Sequence, residues 1–202
     1  MYKMNRKKAI IVGSSGTIGK KVVELLSDKY EIITVNRHSG DYQVDMQDSN
    51  ALEEMFKLIG KFDILIATSG YGKWGTLEEH TINDFHDGLN SKLMGQVNLV
   101  AIGRKYAASD ACFVLTSGIL AHTPTVGGIS LSMINAGIEA FVRGAALELG
   151  EMRINAVSPS FAKETMEMMG MDSSTGVPAI DFAKLYLKAI EEEKTGTIYE
   201  IS

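Results

Sequence analysis

Seven residues, Gly13-Ser14-Ser15-Gly16-Thr17-Ile18-Gly19, offer the clearest chemistry in the chain. They follow the apolar run Lys8 to Val12 and precede an amphipathic stretch opening near Thr17, the pattern of a strand turning into a helix. Glycines permit the tight turn and let the backbone come close to a pyrophosphate, whose charge unpaired N–H groups at a helix N-terminus then stabilise. The spacing is Gly-x-x-x-Gly-x-Gly, which also serves a tight turn that holds no ligand.

A second constellation ends the next apolar run, Thr34-Val35-Asn36-Arg37-His38-Ser39. A carboxylate at this place would hydrogen-bond a ribose diol and repel a 2′-phosphate, and none is present. Arg37 offers a guanidinium suited to bidentate phosphate binding, with Ser14, Asn36 and Ser39 as neutral donors, so NADP(H) is favoured over NAD(H). The other reading of Arg37 is a solvated surface arginine. Cys112, the lone cysteine, lies within Ala111 to Leu115 and reads as a buried structural thiol. The histidines lack metal-ligand spacing, so no metal is expected.

The elements that position these residues follow from hydrophobic period. Short β-branched runs alternate with longer amphipathic ones, the rhythm of parallel strands joined by crossover helices. Strands are expected at 8–12, 31–35, 42–44, 62–67, 111–116, 153–157 and 197–201, and helices at 17–28, 49–59, 82–107, 130–150 and 178–192. Between Arg37 and Gln43 there is room for a loop alone, so the second crossover lacks its helix. Residues 166–178, rich in Met, Gly, Ser and Thr, read as a mobile loop over the site. With 202 residues and 45% hydrophobic content, one domain is expected: an α/β, doubly wound parallel sheet of about seven strands.

In order along its length the chain resembles the short-chain dehydrogenase/reductase family, and the resemblance implies a Rossmann-like sheet. Gly13 to Gly19 is similar to the family's cofactor loop. Asp45, followed by Met46, stands after the third strand, where the family carries an aspartate beside the adenine. Ala67-Thr68-Ser69-Gly70 occupies the place of Asn-Asn-Ala-Gly, keeping the glycine and losing both asparagines. Phe113 to Gly118 resembles the fifth strand with its catalytic serine at Ser117, and Arg153 to Pro159 the sixth, with Ser160 replacing a glycine. The segments 13–19, 36–39, 45–46, 67–70 and 159–160 are therefore the expected cofactor contacts.

The resemblance breaks where catalysis should lie. Relatives carry Tyr-x-x-x-Lys on the helix after the fifth strand, and here Leu131 and Asn135 hold those positions. No register shift restores the pair, since no tyrosine lies between Tyr106 and Tyr186 and no lysine between Lys105 and Lys163. In the family the tyrosine protonates the developing alkoxide, and loss of such an acid costs a factor of about 10² to 10⁴ in rate. Lys92 in Lys92-Leu93-Met94-Gly95 stands where the family has an asparagine, and is either a replacement positive charge or a solvated helix lysine. Ser117 either orients a carbonyl oxygen or satisfies backbone groups. Tyr71, Lys73 and His122 lie on loops facing the same crevice.

Net charge is −5 and the longest basic run is Arg6-Lys7-Lys8, which excludes an electrostatic footprint for nucleic acid or anionic lipid and leaves a small-molecule substrate. The apolar run Ala9 to Val12 is too short for a leader or a membrane span, and one cysteine fits a reducing cytoplasm. The long helices carry apolar residues beyond one stripe, among them Leu93, Val97, Val100 and Phe141, and the resemblance implies a homodimer or homotetramer. Three readings follow: an NADP(H)-dependent oxidoreductase with substituted catalytic groups, a non-catalytic NADP(H)-binding or sensing protein, and a ligand-free scaffold.

Overall fold

A computed structural model describes residues 6–201. Seven strands form one sheet, parallel throughout, in the order β3-β2-β1-β4-β5-β6-β7. They are β1 (Lys8–Val12), β2 (Glu31–Asn36), β3 (Tyr42–Gln43), β4 (Phe62–Ala67), β5 (Ala107–Thr116), β6 (Arg153–Val157) and β7 (Ile198–Tyr199). Helices α1 (Thr17–Leu26) and α7 (Ala179–Glu191) cover one face, and α2 (Ser49–Ile59), α4 (Gly95–Gly103) and α5 (Ile129–Ala145) cover the other. Because strands buried on both faces need no polar alternation, Ala9 to Val12 and Ile64 to Ala67 are apolar without a break and all buried. The strand order reverses between β1 and β4, where their neighbours diverge and a crevice opens beyond the carboxyl ends. The result is the expected doubly wound α/β domain, and no helix runs between β2 and β3.

Four boundaries depart from the sequence expectation. The helix read at 82–107 is three pieces: α3 (Ile82–Gly88), a π-helical turn at Leu89–Met94, and α4. A π turn widens the helix by one residue without disturbing the apolar spacing, so periodicity cannot reveal it. β5 starts at Ala107 rather than 111, because Phe62 pairs with Ala107 and Ile64 with Cys112, leaving a bulge that includes Ser109 and Asp110. The helix read at 130–150 ends at Ala145, with turns continuing to Gly150, where φ is +66°. Within 166–178, α6 (Lys163–Met168) continues to Met168. The remainder is turns tied down by Lys163 N–H donating to Val177 O at 2.8 Å and Val177 N–H to Phe161 O at 3.0 Å. Among the described residues no helix is long and apolar enough to cross a membrane.

Candidate functional site

Every segment singled out in the sequence for cofactor contact sits just beyond a strand end: 13–19 after β1, 36–39 at the end of β2, 67–70 at the end of β4 and 159–160 after β6. The glycine loop is closed by geometry that excludes side chains. Gly13 has φ +85°, and a Cβ there would lie 2.8 Å from the Ser69 side chain. A Cβ on Gly19 would stand 2.1 Å from the Gly13 carbonyl oxygen, so the first turn of α1 packs directly against the loop. Gly16 caps α1 with no side-chain hydrogen bond, and a Cβ on it would meet little besides the Gly13 oxygen at 3.4 Å. The first N–H groups of α1 therefore face open space, as an anion cradle requires.

Asn36 braces this loop. Its Oδ1 accepts from Ser15 N–H and Ser15 Oγ, both at 3.0 Å, and its Nδ2 donates to Ser14 Oγ at 2.8 Å. The amide is thus occupied within the protein, which leaves Arg37 and Ser39 as the outward groups of that strand end. Arg37 is exposed and its guanidinium lies 3.2 Å from the Asp45 carboxylate. The two residues sit beside clefts of ≈ 350 Å³, bordered by Gly13, Ser15, Gly16, Arg37, Ser39 and Ser69, and ≈ 270 Å³, bordered by Val12, Val44, Asp45, Met46, Gly70 and Ser91. The side chain of Met46 enters the second cleft over Gly95, where a Cβ would come within 2.7 Å of it. Thr68 Oγ donates to the Val12 and Gly13 carbonyls at 3.1 Å, and Ala67 O accepts from Thr116 Oγ at 2.5 Å, so β4 is locked to both neighbours at the mouth.

A third cleft, of ≈ 170 Å³, lies between the ends of β5 and β6 and is lined by Lys92, Ser117, Leu131, Asn135, Pro159 and Ser160, among others. The π turn carries Lys92 into it. The lysine stem lies on Gly70, whose φ is +138° and where a Cβ would fall 2.5 Å from Lys92 Cγ. Its ammonium donates to Asn135 Oδ1 at 2.7 Å and to the Ser117 carbonyl at 2.8 Å. Burial lowers its pKa from 10.5 to about 8. Lys92 and Asn135, each in the position where the resemblance places the other's residue type, are thus direct partners.

Ser117 is buried, and its hydroxyl donates to Glu139 Oε1 at 3.2 Å, so its contribution to the cleft is the backbone. Glu139, 1% exposed, is also held by His122 Nε2 at 2.6 Å and Arg143 at 3.1 Å. His122 therefore belongs to a buried carboxylate, and Lys73 is tied to Asp84 at 2.9 Å. Tyr71 is exposed beside the second cleft.

Sequence reasoning passed over Glu139 and Gln96. The latter, fully buried on α4, donates to Thr116 O at 3.0 Å and accepts from Thr116 N–H at 2.8 Å, fixing the exit of the π turn to the end of β5. A glutamine between glycine and valine in an apolar helix was the available signal.

A family model described as enoyl-(acyl carrier protein) reductase matches residues 9–181. The chain belongs to the short-chain dehydrogenase/reductase family. It is 26% identical to hydroxynaphthalene reductase arp2 of Aspergillus fumigatus over 78% of the chain and 58% of that protein. To the 3-oxoacyl-(acyl-carrier-protein) reductase FabG of Aquifex aeolicus it is 27% identical over 78% of the chain and 64% of that protein. The chain thus spans less than two thirds of the length of these relatives. Among solved structures, the protein lin1944 of Listeria innocua superposes with a TM-score of 0.92 at 34% identity, covering 97% of this chain and all of that one. A small-chain dehydrogenase in complex with NADPH gives 0.88 at 26% identity, covering 98% and 97%.

Proposed function

We propose that this chain binds NADP(H) along the three clefts and acts as an oxidoreductase on an uncharged carbonyl compound or its alcohol, with Lys92 replacing the family's catalytic charge. The observation that carries this reading is continuity. Gly70 borders both cofactor clefts and also carries the stem of Lys92, so a cofactor seated on the glycine loop would end beside the third cleft. The nicotinamide, when bound, would supply or accept the hydride. The protein would supply the rest: Gly13 to Gly19 hold the pyrophosphate, Arg37 and Ser39 face the 2′-phosphate, and Asp45 and Met46 flank the adenine. Pro159 and Ser160 close the nicotinamide end, and Lys92 places positive charge near the reacting oxygen. Leu131 has no proton to give, so turnover is expected to be slow.

That same leucine favours a second reading, a non-catalytic NADP(H)-binding or sensing protein. Both readings place the protein in the cytoplasm, in line with its buried single thiol. Both also accommodate self-association through α4 and α5, between which lies an apolar cleft of ≈ 360 Å³ bordered by Val100, Ala101, Phe141, Ala145 and Leu149.

The test of the cofactor assignment is Arg37→Ala. In the free protein Arg37 pairs with Asp45 at an exposed site, worth about 0–1 kcal/mol, whereas a charge-assisted bond to phosphate is worth about 1.5–3 kcal/mol. The net loss of roughly 1–2 kcal/mol weakens NADPH about 5- to 30-fold and leaves NADH almost unchanged. Equal weakening of both cofactors would refute the 2′-phosphate assignment.

A further inference from the structure

The orientation of the Asn135 amide is fixed by its partner. A lysine ammonium has three donors and no acceptor, so the amide must present its oxygen to Lys92. The NH₂ group then faces the other way, toward Gly118, where a Cβ would lie 2.7 Å from Asn135 Nδ2. Among the described residues Nδ2 donates to no protein acceptor. Nor is it one of the sealed, unpartnered polar side-chain atoms, which are His80 Nε2 and the hydroxyls of Ser130, Ser132 and Ser158. Although Asn135 is only 3% exposed, its free N–H therefore opens on the third cleft, which it lines.

Other groups in that cleft are poorly placed to meet an incoming oxygen. Ser117 Oγ is turned to Glu139, and Leu131, Ile119, Leu120 and Phe161 are apolar. Two of the three Lys92 donors are already engaged. Glu139, one helical turn beyond Asn135, is the carboxylate on the neighbouring face of α5, and it is compensated by Arg143 and His122.

We propose that Asn135 Nδ2 donates a hydrogen bond to the oxygen of an uncharged carbonyl compound in this cleft, and that Lys92 is a positioning residue that locks and polarises the amide. The proposal rests on the functional reading above, which brings a carbonyl to the cleft. A positive charge on Oδ1 draws electron density from the amide and strengthens its N–H groups as donors. The contact is one of binding, and no proton leaves the amide. An apolar lining with its single cation already hydrogen-bonded favours a neutral ligand over a carboxylate or phosphate.

The experiment is ¹⁵N NMR of the Asn135 side-chain amide, assigned by its loss in Asn135→Leu. Protein saturated with NADP⁺, which cannot deliver hydride, is titrated with cyclohexanone and with acetophenone to tens of millimolar. The Asn135 NH₂ protons are expected to move downfield with ketone. They are also expected to follow pH with a midpoint near 8, the value to which burial brings Lys92. In Lys92→Met the pH response disappears and the apparent ketone affinity falls about tenfold or more, while Lys92→Arg restores part of the ketone response. Binding of NADP⁺ is read separately from the backbone amides of Ser15 and Gly16. Their silence overturns the cofactor reading and this assignment with it. A silent Asn135 amide with cofactor bound, or an undiminished ketone response in Lys92→Met, overturns the amide assignment alone.

Discussion

Replacing Lys92 by Met tests whether a charge is held inside the cleft. Burial depresses the folded-state pKa of Lys92 to about 8 from 10.5 in the unfolded chain. Below pH 8 the lysine is charged in both states, and the folded protein carries the full cost of its desolvation. Between about pH 8 and 10.5 the folded state has released the proton while the unfolded state keeps it, so stability rises with pH. At 1.36 kcal/mol per pH unit, the gain from about pH 7 to about pH 9.5 is about 2 kcal/mol. Lys92→Met lacks this gain. Urea titrations of both proteins at several pH values would isolate it, because all other titrations cancel in the difference. With a slope near 2 kcal/mol per molar, the difference in midpoint between the two proteins should change by about 1 M over that range, in favour of the wild type as pH rises. Parallel pH curves for the two proteins would refute a buried, charged Lys92.

Other perturbations probe the supports of the site. Gly70→Ala, which combines positive φ with a Cβ 2.5 Å from Lys92 Cγ, should destabilise the fold by about 1–3 kcal/mol and bring the Lys92 pKa back toward 10.5, measured by the same urea series. Gln96→Leu leaves the buried N–H and C=O of Thr116 unpaired and should cost about 2 kcal/mol or more in denaturant unfolding. Light scattering at micromolar concentration is expected to give a dimer or tetramer, and a charge placed in the α4/α5 cleft, Ala101→Glu, should give monomer. A wild type that is already monomeric contradicts the self-association reading.

The framework of the site was legible in the sequence because it rests on local rules. β1, β4 and β6 fall where their apolar runs lie, and the glycine loop was marked by residues whose Cβ atoms would collide with Ser69 or with the loop's own backbone. What stayed hidden depended on distance in sequence. Lys92 and Asn135 are 43 residues apart, and nothing in either segment announces that the π turn brings them to 2.7 Å. Asn36 looked like a phosphate donor by position, yet its amide is occupied by Ser14 and Ser15, 22 and 21 residues away. Ser117 was placed at the site by the resemblance, but the carboxylate that turns its hydroxyl inward comes from α5. The bulge at the start of β5 was unreadable because Ser109 and Asp110 interrupt the apolar run while the strand continues.

The central claim is that NADP(H) lies across the carboxyl ends of the strands with its nicotinamide beside Lys92. A crystal structure of the protein with NADP⁺ tests it most directly. The account expects the pyrophosphate on the N–H groups of residues 13–19, the 2′-phosphate within hydrogen-bonding distance of Arg37, and the nicotinamide at the cleft lined by Lys92, Asn135 and Pro159. Crystals grown at saturating NADP⁺ that leave this crevice empty, or that place the nicotinamide away from Lys92, would contradict it.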